Sequence, residues 1–172
     1  PLPITRHDET GELIGAFNTL LETLEQTSEL LERTSEIAKI GGWELDLATM
    51  QVTYSKETAR IHEFDYPYES PKFSQGNEYY PPEAWPNIQA AVTAAIEQGI
   101  AYDLESPFIT AKGRPIWVRV QGFPVVENGK TIKLCGTLQD ITERKQANLA
   151  LMESEQRFRS LMENISSVAV QG

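Results

Sequence analysis

The sequence is poor in the residues that most often carry chemistry, with one cysteine and two histidines among 172 residues. The single cysteine, Cys135, excludes an intrachain disulfide and favours a reducing compartment. No run of about 18 apolar residues occurs, so no segment is predicted to span a bilayer, and no signal peptide is visible. Basic residues are also scarce, and the net charge of −10 argues against duplex nucleic acid or an anionic membrane surface as the partner.

The same scarcity weighs against metal and catalytic sites. His7, His62 and Cys135 are far apart in sequence, and no acidic cluster has the spacing of metal ligands. Ser, His and Cys form no recognisable pairing of nucleophile and base. Glu44 and Asp46 alternate along one segment, as on the solvated face of a strand. We therefore expect neither a metal site nor catalytic residues, and we expect the chain not to be an enzyme.

Three zones differ in pattern, namely 1–39, 40–142 and 143–172. Between residues 13 and 38, mostly apolar residues recur in alternating steps of four and three, which predicts the seam of a dimeric coiled coil. The alternative is one amphipathic helix packed on its own domain. Thr27 and Thr34 interrupt the seam and should weaken it, and the last zone repeats the pattern. The expected coil contacts are Phe17, Leu20, Leu24, Leu31, Ala38, Leu151, Phe158 and Leu161.

The middle zone predicts an α+β domain. Two alternating segments open it, a short helix capped by Ser55 follows, and a Pro-rich loop covers 65–82. A helix over 83–98 ends at Gly99, and three further strands follow, the last two joined by a hairpin at Asn128-Gly129. We expect one five-stranded antiparallel sheet with helices on one face, flanked by N- and C-terminal coiled-coil helices.

The alternation also predicts which side chains face the interior. These residues either close into a packed core or leave room for a small apolar or aromatic ligand. Tyr66, Tyr68, Tyr79 and Tyr80 of the loop either gate such a pocket or only pin the loop to the domain. Trp117 is expected on the outer face of the sheet, where a flanking helix or a second subunit could cover it. The pocket candidates are Trp43, Leu45, Tyr54, Ile61, Phe64, Ile88, Val92, Phe108, Val118, Leu134 and Leu138.

The segment "TLQDITERKQ" joins the last strand to a charged helix without Gly or Pro. Together with the opening "IGGWELDL" and the segment "YDLESPFITAKGRPIWVRVQG", it resembles a PAS sensor domain of the fold-3-like branch. The resemblance implies that Asp140 ties the strand end to backbone or a basic group and that Thr142 orients the helix. The expected relay residues are Asp140, Ile141, Thr142, Glu143 and Arg144.

The two ends carry further resemblances. "PLPITRHDETGELIGAFNTLLETLEQ" resembles the second helix of a HAMP linker, and "SEQRFRSLMENISSVAV" resembles the start of another PAS domain. The chain is therefore expected to be a segment of a membrane-anchored receptor, on the cytoplasmic side. The resemblance implies a homodimer without direct membrane contact in this segment. It also implies a downstream effector, first a histidine kinase and second a diguanylate cyclase.

The cofactors of PAS relatives find no match in this sequence. The cysteine-containing helix motif of flavin-binding relatives is absent, and Leu138 stands where they place a glutamine, so it cannot bond a flavin edge. Haem-binding relatives supply a histidine from the helix at 83–98, which has none; His62 is expected to be an ordinary histidine rather than a haem ligand. Flavin and haem are thus not expected. A ligand-free dimerisation and spacer module is the alternative function.

Overall fold

The computed structural model of the chain describes residues 9–65, 68 and 71–170. The predictions that involve His7, Tyr66 and the first eight residues of the N-terminal zone lie outside these residues. The elements, in chain order, are α1 (Glu9–Ala38), β1 (Ile40–Asp46), β2 (Val52–Tyr54), α2 (Lys56–His62), a 3₁₀ helix (Phe73–Tyr79), α3 (Trp85–Gln98), β3 (Tyr102–Ile109), β4 (Pro115–Glu127), β5 (Lys130–Asp140) and α4 (Thr142–Val170).

The five strands form one antiparallel sheet in the order β2-β1-β5-β4-β3. The chain therefore enters the sheet at β1 and leaves it at β5, which is the neighbour of β1. Ile40 pairs with Gln139 at one end of this contact, and Asp46 pairs with Lys133 at the other. The predicted α+β fold with a five-stranded antiparallel sheet and flanking helices is confirmed.

Local signals in the sequence account for the element boundaries. The Ser55 hydroxyl accepts a hydrogen bond from the Thr58 backbone N–H and caps α2. Gly99 ends α3 in the left-handed conformation, with φ at 68°. Asn128 and Gly129 have φ angles of 50° and 76°, as a two-residue hairpin between right-twisted strands requires.

Part of the segment predicted as a loop forms the 3₁₀ helix Phe73–Tyr79. This segment is bonded to the free edge of β2: the Val52 N–H donates to the Pro71 carbonyl at 2.9 Å, and the Phe73 N–H donates to the Met50 carbonyl at 3.1 Å. An edge strand exposes unpaired backbone groups, and this loop satisfies some of them. Pro and Gly in the sequence indicate a loop but give no sign of that long-range pairing.

The core lies between the inner face of the sheet and the layer of α2, the 3₁₀ helix and α3. It divides into one cluster around Leu45, Val92 and Leu134 and a second around Phe108 and Val118. The partly buried rings of Trp43, Tyr80 and Tyr102 pack against both clusters. Aromatic rings therefore border the space between the two clusters.

The two long helices extend beyond this core. α1 contacts α2 through two ion pairs, Lys56 to Glu32 at 2.8 Å and Arg60 to Glu36 at 2.9 Å. The predicted seam residues of both helices are exposed, from 46% for Phe17 to 66% for Phe158 among the large ones. The single-helix alternative requires the seam of α1 to pack on its own domain, but these residues are exposed.

Candidate functional site: an aromatic cavity beside a strand–helix junction

A cavity of about 80 Å³ lies between the inner face of the sheet and the helical layer. This volume exceeds the space of one water molecule but is about half of the roughly 150 Å³ that holds benzene in an engineered apolar cavity. The cavity is lined by Trp43, Leu45, Val52, Tyr54, Thr58, His62, Lys72, Phe73, Gly76, Tyr79, Tyr80, Trp85, Ile88, Val92, Tyr102, Val120, Leu134 and Leu138.

Two glycines in the centre of the sheet make room for the rings that border the cavity. Gly122 and Gly136 pair across β4 and β5, while Trp43 pairs with Gly136 and Tyr102 pairs with Gly122. A Cβ atom at Gly136 would lie 2.7 Å from Cζ2 of Trp43, and one at Gly122 would lie 2.6 Å from the Tyr102 hydroxyl. Each ring therefore covers a position where its strand neighbour has no side chain.

The helix α2 is held directly against β1, and this contact fixes the wall that it contributes. Any Cβ at Gly41 would collide with the backbone of Thr58, so only glycine permits this approach. The Thr58 hydroxyl donates to the Gly42 carbonyl at 2.7 Å. These contacts seat the first turn of α2 and thereby place His62, one turn further along, in the wall of the cavity.

His62 is 4% exposed and enclosed by four aromatic rings. It stacks on Tyr54 and Phe64, with ring centroids 4.7 and 4.9 Å away, and meets the edges of Tyr79 and Phe108 at 5.2 and 4.9 Å. Burial lowers the pKa of His62 to about 4, against a smaller opposing effect of its bond to the Thr58 carbonyl. The imidazole is therefore neutral at physiological pH.

The other ionisable groups at the cavity are also uncharged, with one exception. Burial raises the pKa of Tyr54, Tyr80 and Tyr102, so these phenols keep their protons. The exception is Lys72, whose residue is exposed at the edge of the loop. The cavity thus presents neutral polar groups on an apolar, aromatic surface.

Seven of the eleven pocket candidates line the cavity: Trp43, Leu45, Tyr54, Ile88, Val92, Leu134 and Leu138. The other four do not. Ile61, Phe108 and Val118 are buried in the second core cluster, and Phe64 stacks on His62 and contacts the tilted ring of Tyr68. Strand parity identifies the inner face of the sheet but not which part of that face the cavity occupies.

The loop tyrosines do not act alike. Tyr79 and Tyr80 line the cavity, whereas the Tyr68 hydroxyl donates to the Tyr54 carbonyl at 3.0 Å. Thr58 and His62 also belong to the wall, and only their spacing of four residues on a short helix could have indicated a shared face. No periodic pattern in the sequence predicts that residues of the 3₁₀ helix line the cavity.

At the junction of β5 and α4, three residues form a continuous hydrogen-bond chain. The Trp117 N–H donates to the Thr142 hydroxyl at 3.0 Å, and that hydroxyl donates to Oδ1 of Asp140 at 2.6 Å. The Thr142 N–H donates to the same oxygen at 2.9 Å. Buried Ile141 adds a backbone bond to the Trp117 carbonyl at 2.9 Å. The first turn of α4 is therefore bonded to two strands.

The end of α1 meets the same junction. The Asp140 N–H donates to the Lys39 carbonyl at 3.1 Å, and the Lys39 ammonium pairs with Glu143 at 2.7 Å. This ammonium is exposed, so its ion pair contributes little to stability. The pairing nevertheless brings the last residue before β1 into direct contact with the first turn of α4.

On the outer face of the sheet, α4 covers part of Trp117. The Lys145 ammonium lies 4.5 Å from the centroid of the Trp117 ring, a cation–π distance, and also pairs with Glu105 at 2.7 Å. Arg144 pairs with Glu105 as well, and hydrogen bonds from these two residues lower the pKa of Glu105. Cys135 is half-buried on this outer face, away from the cavity.

Two further properties concern the described part of the chain. Within 9–65, 68 and 71–170, no group of three or more His, Cys, Asp or Glu side chains could hold a metal ion. No helix in the same ranges combines the length and apolarity that a membrane crossing needs.

Comparison with known families identifies the fold. A family model described as the PAS fold matches residues 52–138, which are 87 of the 172 residues. The chain belongs to the PAS fold family. In this PAS domain, β1 lies outside the matched range, although it pairs with both β2 and β5. The predicted PAS resemblance is thus confirmed for the domain itself.

Two curated proteins are similar to nearly the whole chain. The probable diguanylate cyclase DgcE of Escherichia coli is 26% identical over 161 residues, which cover 91% of this chain and 14% of the relative. A blue-light-activated histidine kinase of Brucella anthropi is 26% identical over 164 residues, which cover 93% of this chain and 33% of the relative. The chain therefore spans a minor part of each relative.

Solved structures show the same fold. A sensory box histidine kinase/response regulator from Burkholderia thailandensis superposes with a TM-score of 0.61 at 22% identity, covering 76% of this chain and 98% of that chain. An RNA-binding light-oxygen-voltage receptor superposes with a TM-score of 0.54 at 17% identity, covering 67% of this chain and 35% of that chain. Light-sensing proteins thus occur among the fold neighbours of this PAS domain.

Proposed function

We propose that this PAS domain senses and relays signals in a membrane-anchored bacterial receptor, as a homodimer on the cytoplasmic side of the membrane. The observation that carries the proposal is that α1 and α4 are in contact at one end of the β1–β5 pair. The Asp140 N–H is bonded to the Lys39 carbonyl, and Thr142 is bonded to Asp140 and Trp117. A displacement of α1 reaches α4 through bonded residues, without a flexible segment.

The continuity of α4 supports the output half of this proposal. α4 runs from Thr142 to Val170 without Gly or Pro, the residues that most often break or kink helices. An uninterrupted helix carries a rotation or tilt of its first turn along its length, whereas a flexible linker would dissipate it. The relay residues are accordingly Asp140, Ile141, Thr142, Glu143 and Arg144.

The exposed seams of α1 and α4 support the dimer. Apolar residues that recur in heptads on a solvent-exposed helix are buried when two such helices pair. The hydroxyls of Thr27 and Thr34 donate to the carbonyls of Thr23 and Leu30 at 2.8 Å in each case. These seam hydroxyls can therefore enter a dimer interface without losing a partner, although they contribute less apolar contact than leucine.

The arrangement of the parent protein is also part of the proposal. The zone 1–39 would be the second HAMP helix with a coiled-coil linker, 40–142 the PAS domain, and 143–172 the output helix leading into a second PAS domain. Both curated relatives are signalling proteins in which the matched segment is a minor part. We propose a histidine kinase as the effector, with a diguanylate cyclase as the second candidate.

We further propose that the domain holds neither flavin nor haem, although light-oxygen-voltage proteins share its fold. The cavity of about 80 Å³ is smaller than one that holds benzene, and a flavin ring system is larger than benzene. Leu138 lines the cavity while Cys135 lies on the opposite face of the sheet. Purified chain supplied with flavin and haem should therefore stay colourless after removal of the excess cofactor.

The small cavity also favours the second candidate function, a ligand-free dimerisation and spacer module. In that case the domain would transmit movement from α1 to α4 without adding an input of its own. Native mass spectrometry separates the two candidates, because it reports the number of subunits and any co-purified small molecule together.

Asp140→Ala tests the relay in a receptor that carries this chain ahead of its effector. The substitution removes the acceptor of both Thr142 bonds, so we expect regulation of the effector to be lost while the domain stays folded. Asp46→Ala is the matched control, since Asp46 accepts equivalent bonds from Thr49 at 2.8 and 2.9 Å in a turn remote from the junction. Normal regulation in the Asp140→Ala receptor would overturn the proposed relay.

A further inference from the structure

His62 has one nitrogen in a hydrogen bond with the protein and a second that can accept one. Its Nδ1 lies 2.8 Å from the Thr58 carbonyl oxygen on the same helix. A carbonyl oxygen can only accept, so Nδ1 carries the hydrogen of the neutral ring and Nε2 carries a lone pair. The contact of Nδ1 is the hydrogen bond that the described residues show for this ring. The wall of the cavity therefore contains a hydrogen-bond acceptor with a fixed tautomer.

Trp43 supplies the complementary group. Its ring lines the same cavity, and its Nε1–H is buried without an acceptor in the described part of the chain. Buried donors are paired in the great majority of cases, and an unpaired one is a candidate contact for a missing molecule. The residues that line the cavity thus include one with a buried unpaired donor, Trp43, and one with a ring nitrogen that can accept, His62.

The charge and the shape of the cavity limit the class of molecule that it can bind. Lys72 is the sole charged residue in the described lining, and it is exposed at the rim. An ionised ligand would lose its hydration without gaining a buried partner. Eight aromatic rings line the cavity, counting His62, and flat molecules pack well against such rings by stacking and by edge contacts.

We propose that the cavity binds a small uncharged aromatic molecule whose hydroxyl or N–H group donates a hydrogen bond to Nε2 of His62. An acceptor on the same molecule pairs with Nε1 of Trp43. The cavity volume of about 80 Å³ is about half of that which holds benzene, so the ligand is limited to one ring and the 3₁₀ helix must move outward to admit it. The inference deepens the proposed sensory function and rests on it for the consequence of binding, but binding itself is tested separately from the relay.

Phenol and anisole are the decisive pair of probes, because they share a ring and differ in the donated hydrogen. Titrations of the 172-residue chain followed by ¹⁵N NMR report on the Trp43 indole and the His62 ring nitrogens directly. We expect phenol to bind about tenfold more tightly than anisole, the effect of about one hydrogen bond. Phenol should shift both resonances, and benzoate should not bind.

His62→Phe and Trp43→Phe complete the test. Phenylalanine at position 62 keeps an aromatic ring in the cage but removes the acceptor, so the preference for phenol over anisole should fall to within about twofold. Thermal unfolding of each variant establishes that it is folded. If His62→Phe does not fold, Trp43→Phe offers an independent variant. Equal affinities for phenol and anisole in the unmodified chain would overturn the inference, as would filling of the cavity by water alone at millimolar phenol. Neither result would bear on the relay through Asp140.

Discussion

His62 is the residue whose chemistry departs most from its ordinary behaviour. Four rings enclose it, and burial lowers its pKa to about 4. In the unfolded chain, the same imidazole would titrate at about 6.5. Between these two values the unfolded state binds a proton that the folded state excludes, so folding stability falls as the pH falls below 6.5.

The difference between the His62 pKa in the folded and in the unfolded chain predicts that this side chain makes folding stability depend on pH. Between pH 7 and pH 5, His62 should lower the free energy of unfolding by about 2 kcal/mol. Tyr54 and Tyr79 face the ring and stay neutral, and hydrogen bonds from Thr110 and Arg114 lower the pKa of neighbouring Glu63. Urea unfolding at both pH values measures the effect. His62→Phe should remove it, and an equal pH dependence in that variant would contradict the assignment.

The strands show which parts of the structure follow from local pattern. Alternation identifies the inner faces of all five strands, and the hairpin at Asn128-Gly129 follows from its turn residues. The paired glycines Gly122 and Gly136 could not be interpreted in the same way, because their role depends on which residues of neighbouring strands pair with them. Register is a property of two strands, so the covering rings of Trp43 and Tyr102 became evident only in the structure.

Gly136→Ala tests this contact between strands. The added methyl group would collide with the Gln121 carbonyl and with the Trp43 ring, and such overpacking costs about 1–3 kcal/mol. Gly42→Ala is the control, because a Cβ there meets nothing closer than the Gly136 carbonyl at 3.9 Å. Urea unfolding should show a loss for Gly136→Ala and a change within about 0.5 kcal/mol for Gly42→Ala. Equal effects would mean that the Trp43 ring does not rest on Gly136.

The aromatic cavity contains residues that no local pattern of the sequence predicts. Seven of its lining residues follow from strand and helix periodicity, but His62, Tyr79 and Tyr80 do not. His62 reaches the cavity because Gly41 lets α2 approach β1 closely, and the tyrosines reach it because the loop pairs with β2. Both are long-range contacts, which a single segment of sequence cannot report.

In the whole molecule, the exposed seams of α1 and α4 predict how the chain associates. Leu24 occupies a seam position and is 57% exposed. Leu24→Glu would place a carboxylate from each helix in the apolar seam of the paired helices, so we expect a shift from dimer to monomer in size-exclusion chromatography with light scattering. Gln26→Glu adds the same charge two residues away, outside the seam, and should leave the dimer intact. A dimer that survives Leu24→Glu would contradict pairing through α1.

The proposed function of the whole molecule depends on the transfer of movement from α1 to α4. The most direct measurement is a pulsed EPR distance between the two subunits, from a spin label attached at Glu155 by a chemistry that does not use cysteine. A Leu24→Cys, Cys135→Ser chain allows α1 to be cross-linked or left free. We predict that cross-linking changes the Glu155 distance distribution and that Asp140→Ala abolishes the change. An identical distribution with α1 cross-linked and free would contradict the account.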